Sequence, residues 1–309
     1  MSIIRVAAVQ AAPLPVTGLP VFGSNETLGA FATDVERVRS QVDGPVLVVY
    51  PEFHLFGTDG NSTHDASQLM RAAAEPLESE LVRALADIAR EAQVWLIPGS
   101  VCELGSAREV YNTALVLSPD GVLAGSYRKL FPWRPYEWST PGNRLVTVDL
   151  PDIGRLGLSI CYDAWFPEVS RHLAWMGADV IVNVAKTTTP DRTQEIVLAR
   201  ANAIVNQVFT VNVNTAGPHG RGRSIITDPE GAVLEESTDA STCVLFHEIN
   251  LERVAEVRRV GTAGTNRMWE QFQPNDAPVE MPLYSGRIEP HRWAPLASAV
   301  HQPQSSGDN

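Results

Sequence analysis

The sequence predicts an α/β fold in which sheets are covered by helices. Three observations predict it. Short runs rich in valine, isoleucine and leucine recur along the chain, apolar at nearly every position, as strands buried on both faces require. Between them lie stretches with apolar residues at helical spacing. The two kinds of segment alternate with no linker between them, which favours one domain over two in a chain of 309 residues.

"IIRVAAVQAA" is rich in β-branched residues and reads as a first buried strand. It continues directly into fold-like sequence, so it is not read as a secretory signal. "TLGAFATDVERVRSQV" reads as a helix, and "GPVLVVYPE" as a second buried strand. "LESELVRALADIAREA" sets Leu77, Leu81, Leu85, Ile88 and Ala92 on one helical stripe. "VWLIPGSV" reads as one further strand. "NTALVLSPDGVLAGSYRK" holds two strand-like runs about a Pro-Asp-Gly turn.

The pattern then repeats. "RLGLSI" alternates Leu156, Leu158 and Ile160. "PEVSRHLAWMG" opens with Pro167 in the first helical position and closes at Gly177, with Val169, Leu173 and Met176 on one face. "ADVIVNVA" is a strand. "TPDRTQEIVLARANAIVNQ" is a helix with Thr189 expected as its N-cap and Pro190 just inside. "VFTVNVN" is a strand, "RSIITDPEGAVLEES" a hairpin, and "STCVLFHEINLERVAEVRR" a strand running into a helix. Residues 1–261 therefore form the expected domain. Over 262–298 the periodicity fades, yet Met268, Trp269, Phe272, Leu283, Tyr284 and Trp293 remain, and docking on a partner subunit is expected. Residues 299–309 are expected to be a disordered tail.

The formal net charge of −12 argues against nucleic acid and anionic membrane surfaces as partners. No apolar run approaches the roughly 18–20 residues that span a bilayer. Cys102, Cys161 and Cys243 have no metal-site or CxxC spacing, so a reducing compartment, the cytoplasm, is expected. No metal or cofactor is called for. "GPHGRGR" lacks the strand-to-helix setting and lysine of a phosphate loop.

Three ionisable residues stand at the carboxyl ends of predicted strands, where covered α/β sheets bind ligands: Glu52 after "VLVVYP", Lys129 after "GVLAGSYR" and Cys161 after "RLGLSI". Taken singly, each is ordinary: a solvated loop acid, a surface lysine, a small core thiol. Gathered, they make a covalent hydrolase site. The carboxylate moves protons, the thiol attacks, and the ammonium favours thiolate and steadies an oxyanion.

The flanks carry more. "RVAAVQAAP", "VVYPEFHLFG", "SYRKLFPW", "LGLSICYDAWFPEVSRHLAWMGADVIV" and "GRSIITDPEGAVL" resemble, in order, blocks of the nitrilase superfamily of carbon–nitrogen hydrolases. The resemblance covers about residues 4 to 260 and implies a four-layer αββα sandwich with a Glu-Lys-Cys triad. It assigns the general base to Glu52, the ammonium to Lys129 and the nucleophile to Cys161. "RKLFPWRPYEWSTPG" resembles the aliphatic-amidase and formamidase pattern and assigns a second glutamate, holding the lysine, to Glu137.

The resemblance further implies a thioester route, an oxyanion donor in the Tyr162 N–H, and a homodimer or higher homo-oligomer. Asp163 is expected to shape the turn. Phe53, Trp133, Tyr136, Trp138, Trp165 and the segment from Lys186 to Thr189 are expected to line a narrow pocket suited to a small acyl group. Lys186 and Arg192 are read either as carboxylate readers or as solvated charges at a helix start. His54 is read as touching the pocket or packing the loop. "CYD" sets the chain apart from true nitrilases and also resembles carbamoyl-amidases. Small-amide hydrolysis is therefore the first reading and N-carbamoyl-amine hydrolysis the second. Nitrile hydrolysis, acyl transfer and an inert interaction scaffold follow.

Overall fold

Val46–Val49 is buried at all four positions, and Val180–Ala185 at all six. Strands of this kind need cover on both faces. The computed structural model supplies it in four layers, and describes residues 3–16, 25–58 and 63–288.

Along the first half run β1 (Ile3–Gln10), α1 (Asn25–Arg39), β2 (Val46–Val49), α2 (Thr63–Ala72), α3 (Glu80–Ala92), β3 (Trp95–Ile97), β4 (Ser100–Leu104), β5 (Val110–Leu117) and β6 (Leu123–Arg128). Then come β7 (Thr147–Leu150), β8 (Gly154–Ile160), α4 (Pro167–Trp175), β9 (Val180–Ala185), α5 (Arg192–Asn206) and β10 (Phe209–Asn214). β11 (Ile225–Thr227), β12 (Val233–Glu236), β13 (Cys243–Asn250), α6 (Glu252–Val260), β14 (Val279–Met281) and β15 (Gly286–Ile288) complete the described chain.

One sheet runs β13-β1-β2-β3-β5-β4, with β6 also paired to β5. The other runs β12-β11-β10-β9-β8-β7. Each has a parallel centre, β1-β2-β3 and β8-β9-β10, flanked by antiparallel strands. Alternation along each strand decides what it faces. Ile4, Val6, Leu47 and Val49 meet Leu156, Leu158, Val182 and Val184 between the sheets. The other face of the first sheet takes Phe31 and Val35 of α1 with Leu81, Leu85 and Ile88 of α3. The other face of the second takes Val169 and Leu173 of α4, and Ile196 and Ala199 of α5. This is the expected αββα sandwich. Among the described residues, no helix is long and apolar enough to cross a membrane.

Several local expectations change. "VWLIPGSV" is two strands, broken at Pro98-Gly99. Gly99 has φ of 91°, and a Cβ there would stand 1.8 Å from the Pro51 carbonyl oxygen. Leu77 precedes α3, whose N-cap is Ser79, its hydroxyl accepting from the Val82 amide at 3.4 Å. α5 is capped at Asp191 and not at Thr189; the Thr189 hydroxyl is drawn to the Asp191 carboxylate instead. α2 and β7 were not foreseen, both being short and weakly apolar. Trp269, expected on a partner, is buried on its own chain against the α4 cluster. Trp293 and the tail 299–309 lie outside the described residues.

Candidate active site

The candidate chemical groups hang from the carboxyl ends of β2, β6 and β8. β2 extends by one bond, from the Tyr50 amide to the Ile97 carbonyl at 2.9 Å. The chain then turns sharply. Phe53 takes the left-handed conformation, φ of 53°, and its amide donates to the Ser100 hydroxyl at 3.1 Å. Gly99 gives this turn the room it needs. The turn buries Glu52, whose Oε1 accepts from Asn112 Nδ2 at 2.7 Å and Lys129 Nζ at 3.1 Å. Its Oε2 accepts from the Lys186 amide at 2.9 Å.

His54 follows Glu52 but points away from this chemistry. It lies buried against Tyr50, ring centroids 4.7 Å apart, and beside Phe31. Burial pulls its pKa down to about 4, with Asp34 opposing. The folded state therefore resists a proton that the unfolded state accepts below about pH 6.5. Stability from this residue is complete above that pH and is lost as pH falls toward 4. Between pH 7 and pH 5 it should cost about 2 kcal/mol, and His54→Phe should remove that part of the acid sensitivity in urea titrations at the two pH values.

Lys129 follows β6, and its amide donates to the Asn112 carbonyl at 2.9 Å. Its ammonium is fully buried and bonds to Glu137 Oε1 at 2.6 Å as well as to Glu52. Glu137 Oε2 accepts in turn from the Trp133 amide at 3.1 Å. Burial alone would pull the lysine pKa down, but the Glu52 and Glu137 carboxylates push it well up, so the ammonium stays charged. Burial raises the pKa of Glu137, against the opposing pull of Lys129.

Cys161 follows β8 in the left-handed conformation, φ of 47°, at the head of a single 3-10 turn, Cys161–Trp165. A β-carbon is strained there, and polar bonds hold the chain in place. Asn183 Nδ2 donates to the Cys161 carbonyl at 3.3 Å and to the Ser159 hydroxyl at 2.6 Å. Asn212 Nδ2 donates to Asn183 Oδ1 at 2.8 Å, so three neighbouring strands form one polar row beneath the nucleophile turn.

Asp163 ties that turn to the lysine segment. It accepts from the Ile160 amide at 3.0 Å, the Phe131 amide at 2.9 Å and the Tyr127 hydroxyl at 2.8 Å. Asp163→Ala would strand three buried donors. The expected cost is about 3–5 kcal/mol, read as a lower urea midpoint with an unchanged slope.

One electrostatic expectation is corrected. The turn and Lys129 do not leave a low-pKa thiol. Withdrawal of the sulfur from water pushes the pKa well up, Glu52 adds to this, and Lys129 only partly opposes it. In the free protein Cys161 is a neutral thiol.

The aromatic residues divide. Trp133 and Tyr136 lie together, centroids 4.5 Å apart, with Tyr136 exposed. Tyr162 stands 6.1 Å from Trp165, whose Nε1 reaches Glu195 Oε1 at 3.5 Å. Phe53 and Trp138 lean on the outer cluster of the first sheet, and the Arg71 guanidinium stacks over Trp138 at 4.3 Å. Lys186 meets Glu52 through its backbone. Arg192 is neither a carboxylate reader nor solvated. It is buried and committed to Glu195 at 2.9 Å and to the carbonyls of Gly222 and Arg223.

Sequence reasoning missed Asn112, Asn183 and Glu195, and named Thr187 only within the pocket segment from Lys186 to Thr189. The signal for the first two was an asparagine inside an apolar run, "VYNTALVL" and "VIVNVA". Thr187 and Glu195 carry no comparable local signal.

Against known proteins, the formamidase of Pseudomonas syringae pv. tomato is 30% identical over 72% of this chain and 65% of its own length. The formamidase of Helicobacter acinonychis is 31% identical over 69% of this chain and 62% of its own. The chain thus spans just under two thirds of these relatives. Among solved structures, Saccharomyces cerevisiae Nit3, a member of branch 10 of the nitrilase superfamily, superposes with a TM-score of 0.72 at 27% identity. The match covers 86% of this chain and 97% of Nit3. Residues 5–259 match the carbon-nitrogen hydrolase family model, so this chain belongs to the carbon–nitrogen hydrolases of the nitrilase superfamily.

Proposed function

We propose that the protein hydrolyses a small aliphatic amide to acid and ammonia through a thioester on Cys161. The observation that carries this reading is a fully buried ammonium, Lys129, shared by the Glu52 and Glu137 carboxylates within the electrostatic field of a thiol. The formamidase relatives support a short acyl group.

The chemistry follows from the protonation states. The resting thiol keeps its proton, so attack on the amide carbon requires a base, and Glu52 takes that proton as the C–S bond forms. Negative charge gathers on the former carbonyl oxygen, where Lys129 and the Tyr162 N–H act as donors. Losing one such donor costs about 3–4 kcal/mol of barrier. Glu52 returns the proton to the departing nitrogen, and ammonia leaves. Glu52 then takes a proton from water as its oxygen attacks the thioester, and passes that proton to the sulfur as the C–S bond breaks, freeing the acid and restoring the thiol and the carboxylate. Glu137 touches no reacting atom in this scheme; it holds Lys129 charged and in place. Phe53, Trp133, Tyr136, Trp138, Trp165 and Lys186 are the proposed pocket lining.

The same reading makes the protein a homo-oligomer. Val197, Ile204 and Val205 are 63%, 40% and 42% exposed on α5, an apolar strip that a second copy can cover. Residues 1–261 form the catalytic domain and 262–298 an extension whose Leu283 stands exposed. The cytoplasm suits its three free thiols.

A panel of formamide, short alkyl amides, carbamoyl-amines and nitriles, scored by ammonia release, tests the function. Turnover of short amides, lost in Cys161→Ala, is the expected result. Carbon dioxide released with ammonia from a carbamoyl-amine alone would move the substrate to that class. Ammonia release that survives Cys161→Ala would end the reading.

A further inference from the structure

Behind the nucleophile, on the side away from β2 and β6, lies a second buried charge pair that the proposed reaction does not use. Arg192 and Glu195 are only 2% and 4% exposed, and Thr187 only 5%. Arg192 Nη1 donates to Glu195 Oε2 at 2.9 Å, while its Nε and Nη2 donate to the carbonyls of Gly222 at 3.0 Å and Arg223 at 2.8 Å. The Thr187 hydroxyl lies 2.6 Å from Glu195 Oε2 and 3.9 Å from Cys161 Sγ. The Thr187 amide donates to Asn214 Oδ1 at 2.8 Å, which fixes the threonine backbone.

The direction of every bond in this chain is set from its far end. A guanidinium can only donate. A carboxylate paired with it is ionised and can only accept. The single hydroxyl hydrogen of Thr187 must therefore point at Glu195. What Thr187 turns to the sulfur is a lone pair, so the thiol is the donor and threonine the acceptor. The structure assigns to Thr187 the task of receiving the Cys161 thiol hydrogen, parking the nucleophile protonated and in one orientation until substrate arrives. This rests on the reading of Cys161 as nucleophile.

The arrangement opposes Lys129, which favours thiolate, and sides with the carboxylates. The charged groups about the sulfur are Glu52 after β2, Lys129 and Glu137 after β6, and Arg192 and Glu195 of α5, with Asp163 on its own turn. A parked thiol is a poor target for stray electrophiles, and Glu52 draws its proton only once a carbonyl carbon is in reach. Thr187 is a positioning residue, since it acts through the sulfur.

Site-resolved alkylation by iodoacetamide, followed by peptide mass across a pH series on the full chain, tests this without turnover. Thr187→Val keeps the shape and the Arg192–Glu195 pair but removes the acceptor. Its Cys161 profile should move to lower pH by about half a unit to one unit, a several-fold gain in labelling below the midpoint. Thr187→Ser should superpose on the parent. Glu195→Gln keeps an oxygen at the Oε2 position that accepts from both Arg192 and Thr187, but removes a carboxylate charge from beside the sulfur, so it should shift the profile the same way. If Glu195→Gln does not fold, the Thr187→Val and Thr187→Ser pair decides. A Thr187→Val profile that overlays the parent overturns the positioning role and leaves the nucleophile standing. Ammonia release from short amides that survives Cys161→Ala overturns the nucleophile and the positioning role with it.

Discussion

Lys129→Met is expected to abolish amide turnover and to weaken the fold in the same stroke. The ammonium is fully buried, 3.1 Å from Glu52 and 2.6 Å from Glu137. Without it, the buried Glu52 carboxylate and the partly buried Glu137 carboxylate face each other with no cation between. Breaking a buried pair by removing one partner costs about 3–5 kcal/mol. One of the two carboxylates should then hold a proton that the unfolded chain gives up more readily. Its folded pKa is raised, so the added stability is present at low pH and is lost as pH rises through that value. The variant should be most defective near neutrality and recover part of its urea midpoint near pH 5. The parent keeps its pair across that range, and His54 lowers both proteins alike toward pH 5, so the recovery is read as a narrowing gap between variant and parent. Activity should fall by at least about 10³-fold at any pH, because the proposed oxyanion donor is gone and the thiol loses the Lys129 charge that favours its ionised form.

Glu52→Gln separates base from scaffold. The amide oxygen can still accept from Asn112 and Lys129, and Glu137 still pairs the ammonium, but the Lys186 amide then faces an NH2 in place of Oε2, so stability should fall by about 1–3 kcal/mol. The proton route is lost. The resting thiol then has no acceptor for its proton during attack, and the leaving nitrogen has no donor. The expected loss is about 10²–10⁴ in kcat, with KM little altered, since the carboxylate does its work on protons moving in the transition state. Steady-state ammonia release on the best short amide checks both numbers.

The amount of this that the sequence could show follows a physical line. Elements whose burial dictates composition were legible. β2 and most of β9 are apolar on both faces because each faces a sheet on one side and helices on the other, while β10 alternates apolar residues with Thr210, Asn212 and Asn214. That Glu52, Lys129 and Cys161 lie near one another was legible because strand ends are where such folds place ligands, and because the flanking blocks were distinctive. What escaped is set by tertiary contact. The break at Gly99 exists because the Pro51 carbonyl occupies the space a side chain would need. The thiol pKa was misjudged because burial and Glu52 outweigh Lys129, a balance of distances that no spacing encodes. Arg192 looked like a solvated charge at a helix start, yet Glu195 one turn on and two carbonyls from the segment after β10 enclose it. Trp269 looked unpartnered because the α4 face that receives it is remote in sequence.

The central claim is tested most directly by trapping the enzyme in mid-reaction. The protein is mixed with a short amide, quenched in acid within a turnover, and its cysteine peptides are weighed. The account predicts the mass of one acyl group on the peptide carrying Cys161, absent from the peptides of Cys102 and Cys243, and released by hydroxylamine. Steady ammonia production with every Cys161 peptide unmodified, under a quench shown to preserve thioesters, would contradict it.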